Sequence, residues 1–125
     1  MEIIEKKRIL AVDDEESLIA ALTCRLEASN YEVIHAFDGR EALSKAKGEK
    51  PDLIILDIML PFLDGFEICR LLKFDSKYKD IPIVMLTSKV SDSDRKTGFE
   101  VGADAYLTKP YEARQLLEKI GELLN

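Results

Sequence analysis

Five short apolar runs, RILAV at 8–12, YEVIHA at 31–36, DLIIL at 52–56, IPIVML at 81–86 and AYLT at 105–108, alternate with segments of helical pattern. This alternation restricts the fold more than any other feature of the chain. Three of the runs are unbroken rather than alternating apolar with polar, DLIIL most clearly. A strand reads that way when both of its faces are buried, which means a parallel sheet covered by helices on either side. Right-handed crossovers then confine the chain to doubly wound arrangements. Residues 1–125 are too few for two domains and enough for one real core. The reading is a single α/β domain, a doubly wound five-stranded parallel sheet with five helices.

The intervening segments support it. Residues 16–29 bring Leu18, Leu22, Arg25, Leu26 and Ser29 together at helical spacing, and 38–47 begins on Asp38, an N-cap type. Residues 64–75 open Asp-Gly and carry a stripe of Phe66, Ile68, Leu71 and Leu72. Residues 112–124 carry Leu116, Leu117, Ile120, Leu123 and Leu124. The segment 91–102 is weaker. Its large apolar residues are Phe99 and Val101, and Gly98 costs a helix ~1 kcal/mol against Ala. It is expected to hold the core with a thin grip. The chain has no repeats, low-complexity stretches or linker.

Charge removes some function classes. The net charge is -6, and the one basic run, Lys6-Lys7-Arg8, leads into a strand and reads as a solvated flank. Nucleic acid is therefore not expected as a direct partner. No stretch approaches the ~18 apolar residues of a membrane span, and Met1 opens no signal peptide, so no membrane partner is expected. Cys24 and Cys69 lie far apart inside helical patterns. They are expected to be free buried thiols in a reducing cytoplasm.

The polar residues collect at strand ends. The first strand ends in Asp13 and Asp14, the third in Asp57, the fourth in Thr87 and Ser88, and the fifth in Lys109. In open doubly wound sheets, ligands bind beyond the carboxyl ends of the strands, where the winding reverses. With strand order 2-1-3-4-5, Asp13, Asp14 and Asp57 share one crevice flanked by Thr87 and Lys109, while His35 falls outside it. Three carboxylates together repel one another unless a cation offsets them. Hard oxygen ligands suit Mg²⁺, with Mn²⁺ as a substitute, and the metal plus Lys109 brings the formal charge near zero. Each residue taken alone has a plainer reading: acids at a helix start, a turn-forming Asp, a surface lysine, a half-buried strand tyrosine at 106. Their convergence on one sheet edge favours a site.

Asp13-Asp14, the stretch Asp57-Ile58-Met59-Leu60-Pro61-Phe62-Leu63-Asp64-Gly65, Thr87-Ser88, Gly102-Ala103, Tyr106 and Lys109-Pro110 together resemble the response-regulator receiver domains of two-component signalling. The resemblance covers nearly the whole chain. It implies a flavodoxin-like fold of the chemotaxis-regulator kind, so the strand order used above is the family's rather than an independent result. It implies that Asp57 accepts a phosphoryl group from a phosphohistidine on a sensor kinase or phosphotransfer protein. Asp13, Asp14, Asp57 and the Met59 backbone carbonyl would hold Mg²⁺, and Thr87 and Lys109 would contact the phosphoryl oxygens. A cis Lys109–Pro110 peptide is implied, as is a switch through Thr87 and Tyr106, with Tyr106 turning inward from solvent. The displayed face would be the fourth helix, fifth strand and fifth helix. Such a chain is a phosphoryl acceptor that assists its own phosphorylation and dephosphorylation, not an enzyme acting on a separate substrate.

Rival readings fare worse. An aspartate-nucleophile phosphatase of the haloacid-dehalogenase kind needs an acid two residues after Asp57, where Met59 stands. In a flavodoxin, the acids at 13–16 would repel the flavin phosphate. The remaining competitor is a non-phosphorylated, receiver-like interaction module, which would be expected to lack one of the acids, Thr87 or Lys109. The output, a downstream protein target or an attached output domain, is not legible. Ala105 rather than a second acid after Asp104 weakens one family dimerisation pattern.

Overall fold

The computed structural model describes residues 5–125; the absence of a signal peptide, read from Met1, concerns residues outside that range. Strands β1 (Arg8–Val12), β2 (Glu32–Ala36), β3 (Leu53–Leu56), β4 (Ile83–Thr87) and β5 (Ala105–Thr108) form one parallel sheet in the order β2-β1-β3-β4-β5. Helices α1 (Glu16–Ala28), α2 (Gly39–Glu49), α3 (Gly65–Lys73), α4 (Asp92–Glu100) and α5 (Ala113–Leu124) alternate with them. Side chains of a strand point to opposite faces in turn. Ile9, Ala11, Leu53, Ile55, Val84 and Leu86 accordingly meet α1 and α5 through Ile19, Leu22, Leu26, Leu116 and Ile120. Leu10, Val12, Ile54, Leu56, Ile83 and Met85 face the other layer, with Ala42, Ala46, Ile68, Cys69 and Leu72. Two cores back onto one sheet, and β3 at its centre is buried on both faces, which is why DLIIL shows no alternation.

Local chemistry sets the helix starts. Asp38 caps α2 by accepting the Glu41 N–H at 2.8 Å, and Glu41 reaches back to the Phe37 N–H at 2.7 Å. Asp64 caps α3 on the Glu67 N–H, and Ser91 caps α4 on the Asp94 N–H. At α1, Glu15 offers no side-chain cap; Asp13 accepts the Glu15 N–H at 2.9 Å instead. One aspartate thus organises a helix start and lines the crevice.

Several expectations need correction. The buried stripe of α1 runs through Ile19, Leu22 and Leu26, while Arg25 and Ser29 face water. Helical spacing groups residues on one face without saying which face meets the sheet, and here the stripe is rotated by one position. On α3, Cys69 takes the buried place and Leu71 is exposed. Cys24 lies on the outer side of α1 and is exposed, so the expected pair of buried thiols reduces to Cys69, whose pKa burial pushes up to about 12. Arg8 is not merely a solvated flank: it is half-buried at the head of β1 and ion-paired to Glu32 and Glu49. The grip of α4 is thinner than foreseen, because Phe99 is half exposed and Gly98 is the buried residue of the helix.

Candidate functional site

Strand register brings the acids together. Val12 pairs with Leu56, and the Asp57 N–H donates to the Val12 carbonyl, so the residues that follow, Asp13 and Asp57, stand side by side. Thr87 pairs with Thr108, and the Lys109 N–H donates to the Thr87 carbonyl, which carries Lys109 to the same edge. Carboxylate oxygens of Asp13, Asp14 and Asp57 lie within 4.8 Å of one another. His35 is exposed on β2, outside this group.

The site is drier than the sequence suggests. Although Asp57 lies at the open end of β3, it is only 5% exposed, and Asp13 is 3% exposed. The β3–α3 loop turns back on the strand end, the Gly65 N–H donating to the Ile58 carbonyl. Glycine permits this close approach. A Cβ on Gly65 would run into the Asp57 carbonyl oxygen and come 2.7 Å from the Ile58 Cα, and one on Gly39 would strike the Leu63 carbonyl. The Gly39 N–H also donates to Pro61, tying α2 to the same loop. In the sequence Gly39 drew no notice and Gly65 entered only through Asp-Gly and the family motif, with no steric role for either. Their signal was the cost of glycine inside a helix end that Asp38 and Asp64 already cap. At the crest of the loop Phe62 holds φ +71°, a left-handed conformation uncommon for a bulky residue, with the Arg40 guanidinium 4.3 Å from its ring centre.

Lys109 balances the buried acids. Its ammonium lies 2.6 Å from Asp13 Oδ2 and 3.1 Å from Asp57 Oδ2. Two carboxylates at this range repel by roughly 3–4 kcal/mol at an effective dielectric of about 20, and the shared cation offsets it. Burial pulls the Lys109 pKa down, but its bonds to Asp13 and Asp57 overcome this and raise it above the ordinary value. At Asp13 the balance differs: burial raises the carboxyl pKa, and Lys109 offsets only part of that. Asp57 Oδ1 accepts the N–H groups of Ile58 at 2.7 Å and Met59 at 3.3 Å, which orients the carboxylate. The side chain of Met59 is exposed at the mouth. Thr87 is fully buried, and its hydroxyl oxygen accepts the Lys89 N–H at 3.3 Å. The Lys109–Pro110 peptide is cis.

This constellation at the carboxyl edge of a 2-1-3-4-5 sheet matches a known family: residues 9–121 fit the response regulator receiver domain. The chain belongs to the response regulator receiver family. This receiver is 50% identical over 118 residues to the alkaline phosphatase synthesis transcriptional regulatory protein PhoP of Bacillus subtilis (strain 168), an alignment covering 94% of this chain and 48% of that protein. The chain therefore spans about half the length of the curated relative. Among solved structures, Vibrio cholerae chemotaxis protein CheY4 superposes with a TM-score of 0.89 at 38% identity, covering 96% of this chain and all of that one. A CheY-like receiver domain protein from Methanospirillum hungatei JF-1 gives 0.90 at 35% identity, with 96% and 94% covered. The receiver role in a phosphorelay and the flavodoxin-like fold follow from these likenesses. Among the described residues no helix is long and apolar enough to cross a membrane.

Tyr106 departs from expectation. It was expected to face solvent, or to be half-buried with its hydroxyl in water. The ring is instead turned inward and 3% exposed, and its hydroxyl donates to the Lys89 carbonyl at 2.7 Å. Burial foremost, then the Asp94 carboxylate, raises its pKa. The Lys89 carbonyl and the space beside Gly98 that admits the ring were missed, because neither a backbone acceptor nor a vacancy leaves a mark in sequence pattern.

Proposed function

We propose that Asp57 is the phosphoryl acceptor of this receiver, taking the group from a phosphohistidine on a sensor kinase or phosphotransfer protein. The observation that carries the reading is the buried, oriented Asp57 carboxylate held 3.1 Å from Lys109 beside Asp13 and Asp14. A carboxylate oxygen attacks phosphorus, the new O–P bond forms as the P–N bond breaks, and the nitrogen keeps the electron pair. Lys109 and the Thr87 hydroxyl then serve the oxygens of the transferred group, since such transfer needs chiefly positioning and neutralisation. The donor set fits Mg²⁺ or Mn²⁺: three hard carboxylate oxygens close together, two of them from residues paired to the Lys109 ammonium. Asp13, Asp14, Asp57 and the Met59 carbonyl are the proposed ligands. When bound, the metal would supply further charge neutralisation at the phosphoryl oxygens.

The family is one of phosphoryl acceptors rather than ordinary enzymes; assistance to its own dephosphorylation is part of this proposal. So is the switch. Thr87 and Tyr106 report the state of Asp57, and the inward ring described above is one of two positions in equilibrium. The face of α4, β5 and α5 displays the result to a protein target or an attached output domain. The PhoP relative is a transcriptional regulatory protein of which the match covers 48%, which supports an output domain attached to the receiver on a longer chain. Work in the cytoplasm completes the reading.

Incubation with Mg²⁺ and acetyl phosphate should add the mass of one phosphoryl group, and Asp57→Ala should abolish the gain. No adduct with any small donor or metal would return the chain to the interaction-module reading.

A further inference from the structure

Gly98 sits inside α4, and it is the buried residue of that helix. Its backbone does not require glycine, since the positive-φ glycine among the described residues is Gly102. Glycine is also a poor helix former. The reason for it is steric. A Cβ at position 98 would lie 2.8 Å from Cδ2 and 3.0 Å from Cε2 of Tyr106, with Phe66 Cε1 at 3.9 Å behind. The ring is held from its other sides. Its hydroxyl donates to the Lys89 carbonyl at 2.7 Å, the Arg95 guanidinium stands 5.1 Å from its centre, and the Phe99 ring lies 6.4 Å away.

We propose that Gly98 is a positioning residue for Tyr106: its missing side chain is the slot that admits the ring, and the seated ring ties α4 to the β4–α4 loop. The path is contiguous. The Lys89 N–H donates to Thr87 Oγ1, the Lys89 carbonyl accepts from Tyr106, and the Tyr106 ring edge fills the space at Gly98. A shift at Thr87 therefore reaches a helix that buries little else of its own. A side chain at position 98 closes the slot, turns the ring outward and releases α4 without touching Asp57. The slot follows from geometry alone; its meaning for signalling rests on the switch reading above.

The test uses the full chain as Gly98→Ala, Tyr106→Ala and the double variant. Gly98→Ala is expected to lower the unfolding midpoint when Tyr106 is present and to raise it in the Tyr106→Ala background, where the obstacle is gone and alanine is the better helix former. Ring-labelled tyrosine NMR should show Tyr106 moving to a solvent-exposed environment in Gly98→Ala, with faster amide exchange in α4. The exchange response of α4 to phosphorylation should also be lost. Equal destabilisation in both backgrounds would overturn the proposal, as would an unmoved Tyr106 resonance. If Gly98→Ala does not fold, a folded double variant supports the slot and an unfolded one sinks it. Acetyl phosphate uptake, followed in parallel, should persist in Gly98→Ala. Its failure in the wild type as well would count against the Asp57 reading and leave the slot standing.

Discussion

Lys109 serves two buried acids at once, and each side of that bargain has a measurable consequence. With its pKa raised in the fold, Lys109 contributes stability that is complete below its ordinary value of 10.5 and is lost as pH rises through the higher folded value. In chelator-treated protein, the stability advantage of wild type over Lys109→Gln should shrink above that pH, as followed by urea unfolding. An advantage independent of pH would mean that the ammonium contributes no charge interaction. Asp14 is exposed and caps nothing, so its carboxylate adds like charge beside Asp13 and Asp57 without supporting the fold. Asp14→Asn should leave the metal-free midpoint unchanged or slightly raised. In wild type, Mg²⁺ at a hundredfold excess over its Kd should add about 2.7 kcal/mol, several degrees in Tm. Asp14→Asn should lose most of that shift, and an undiminished one would remove Asp14 from the proposed ligand set.

At the level of elements, α3 and α4 have the same length and different anchorage. α3 buries Gly65, Ile68, Cys69 and Leu72, whereas α4 buries Gly98. Fully burying a Leu or Ile side chain is worth about 1.5–3 kcal/mol, and α4 has no such contribution from within the helix. Its Ser91 cap and the acids of its first turn favour the helix locally without holding it to the sheet. Native-state hydrogen exchange should therefore find α4 amides opening at a lower free energy than those of α3. Equal protection would show that Val101 and Ala103, buried just beyond the helix, carry it as firmly as internal anchors do. Much of this was legible beforehand: the weakness of 91–102 and the Asp38 cap both follow from composition. The exposure of Leu71 and Cys24 was not, because it depends on where each helix rolls on the sheet.

For the whole molecule, the two cores share one wall. Ile54 and Ile55 are neighbours on β3, yet one belongs to the α2–α4 side and the other to the α1–α5 side. Truncating either to Ala should cost about 2–5 kcal/mol, a large share of the roughly 5–15 kcal/mol that holds a domain together. Because the sheet is common to both sides, each variant should still unfold in one transition, with near-UV and far-UV circular dichroism tracing the same curve. Separate transitions would mean that the two layers are independent.

Residue order alone establishes the alternation of strands and helices, the parallel sheet buried on both faces, the cap at Asp38, and the placing of Asp13, Asp14, Asp57, Thr87 and Lys109 at the carboxyl ends of strands, while the strand order that makes them neighbours came with the family resemblance. The alternation, the sheet and the placing follow from the period of the apolar pattern and from the parallel direction of the strands, which sends every carboxyl end the same way. Tertiary structure alone decided that Asp57 is buried, that Tyr106 points inward, and that glycines 39, 65 and 98 are places where other atoms come close. Those facts depend on how loops cross strand ends and on which volumes neighbouring elements leave empty. A pattern along the chain records which residues share a face; it does not record what stands opposite them.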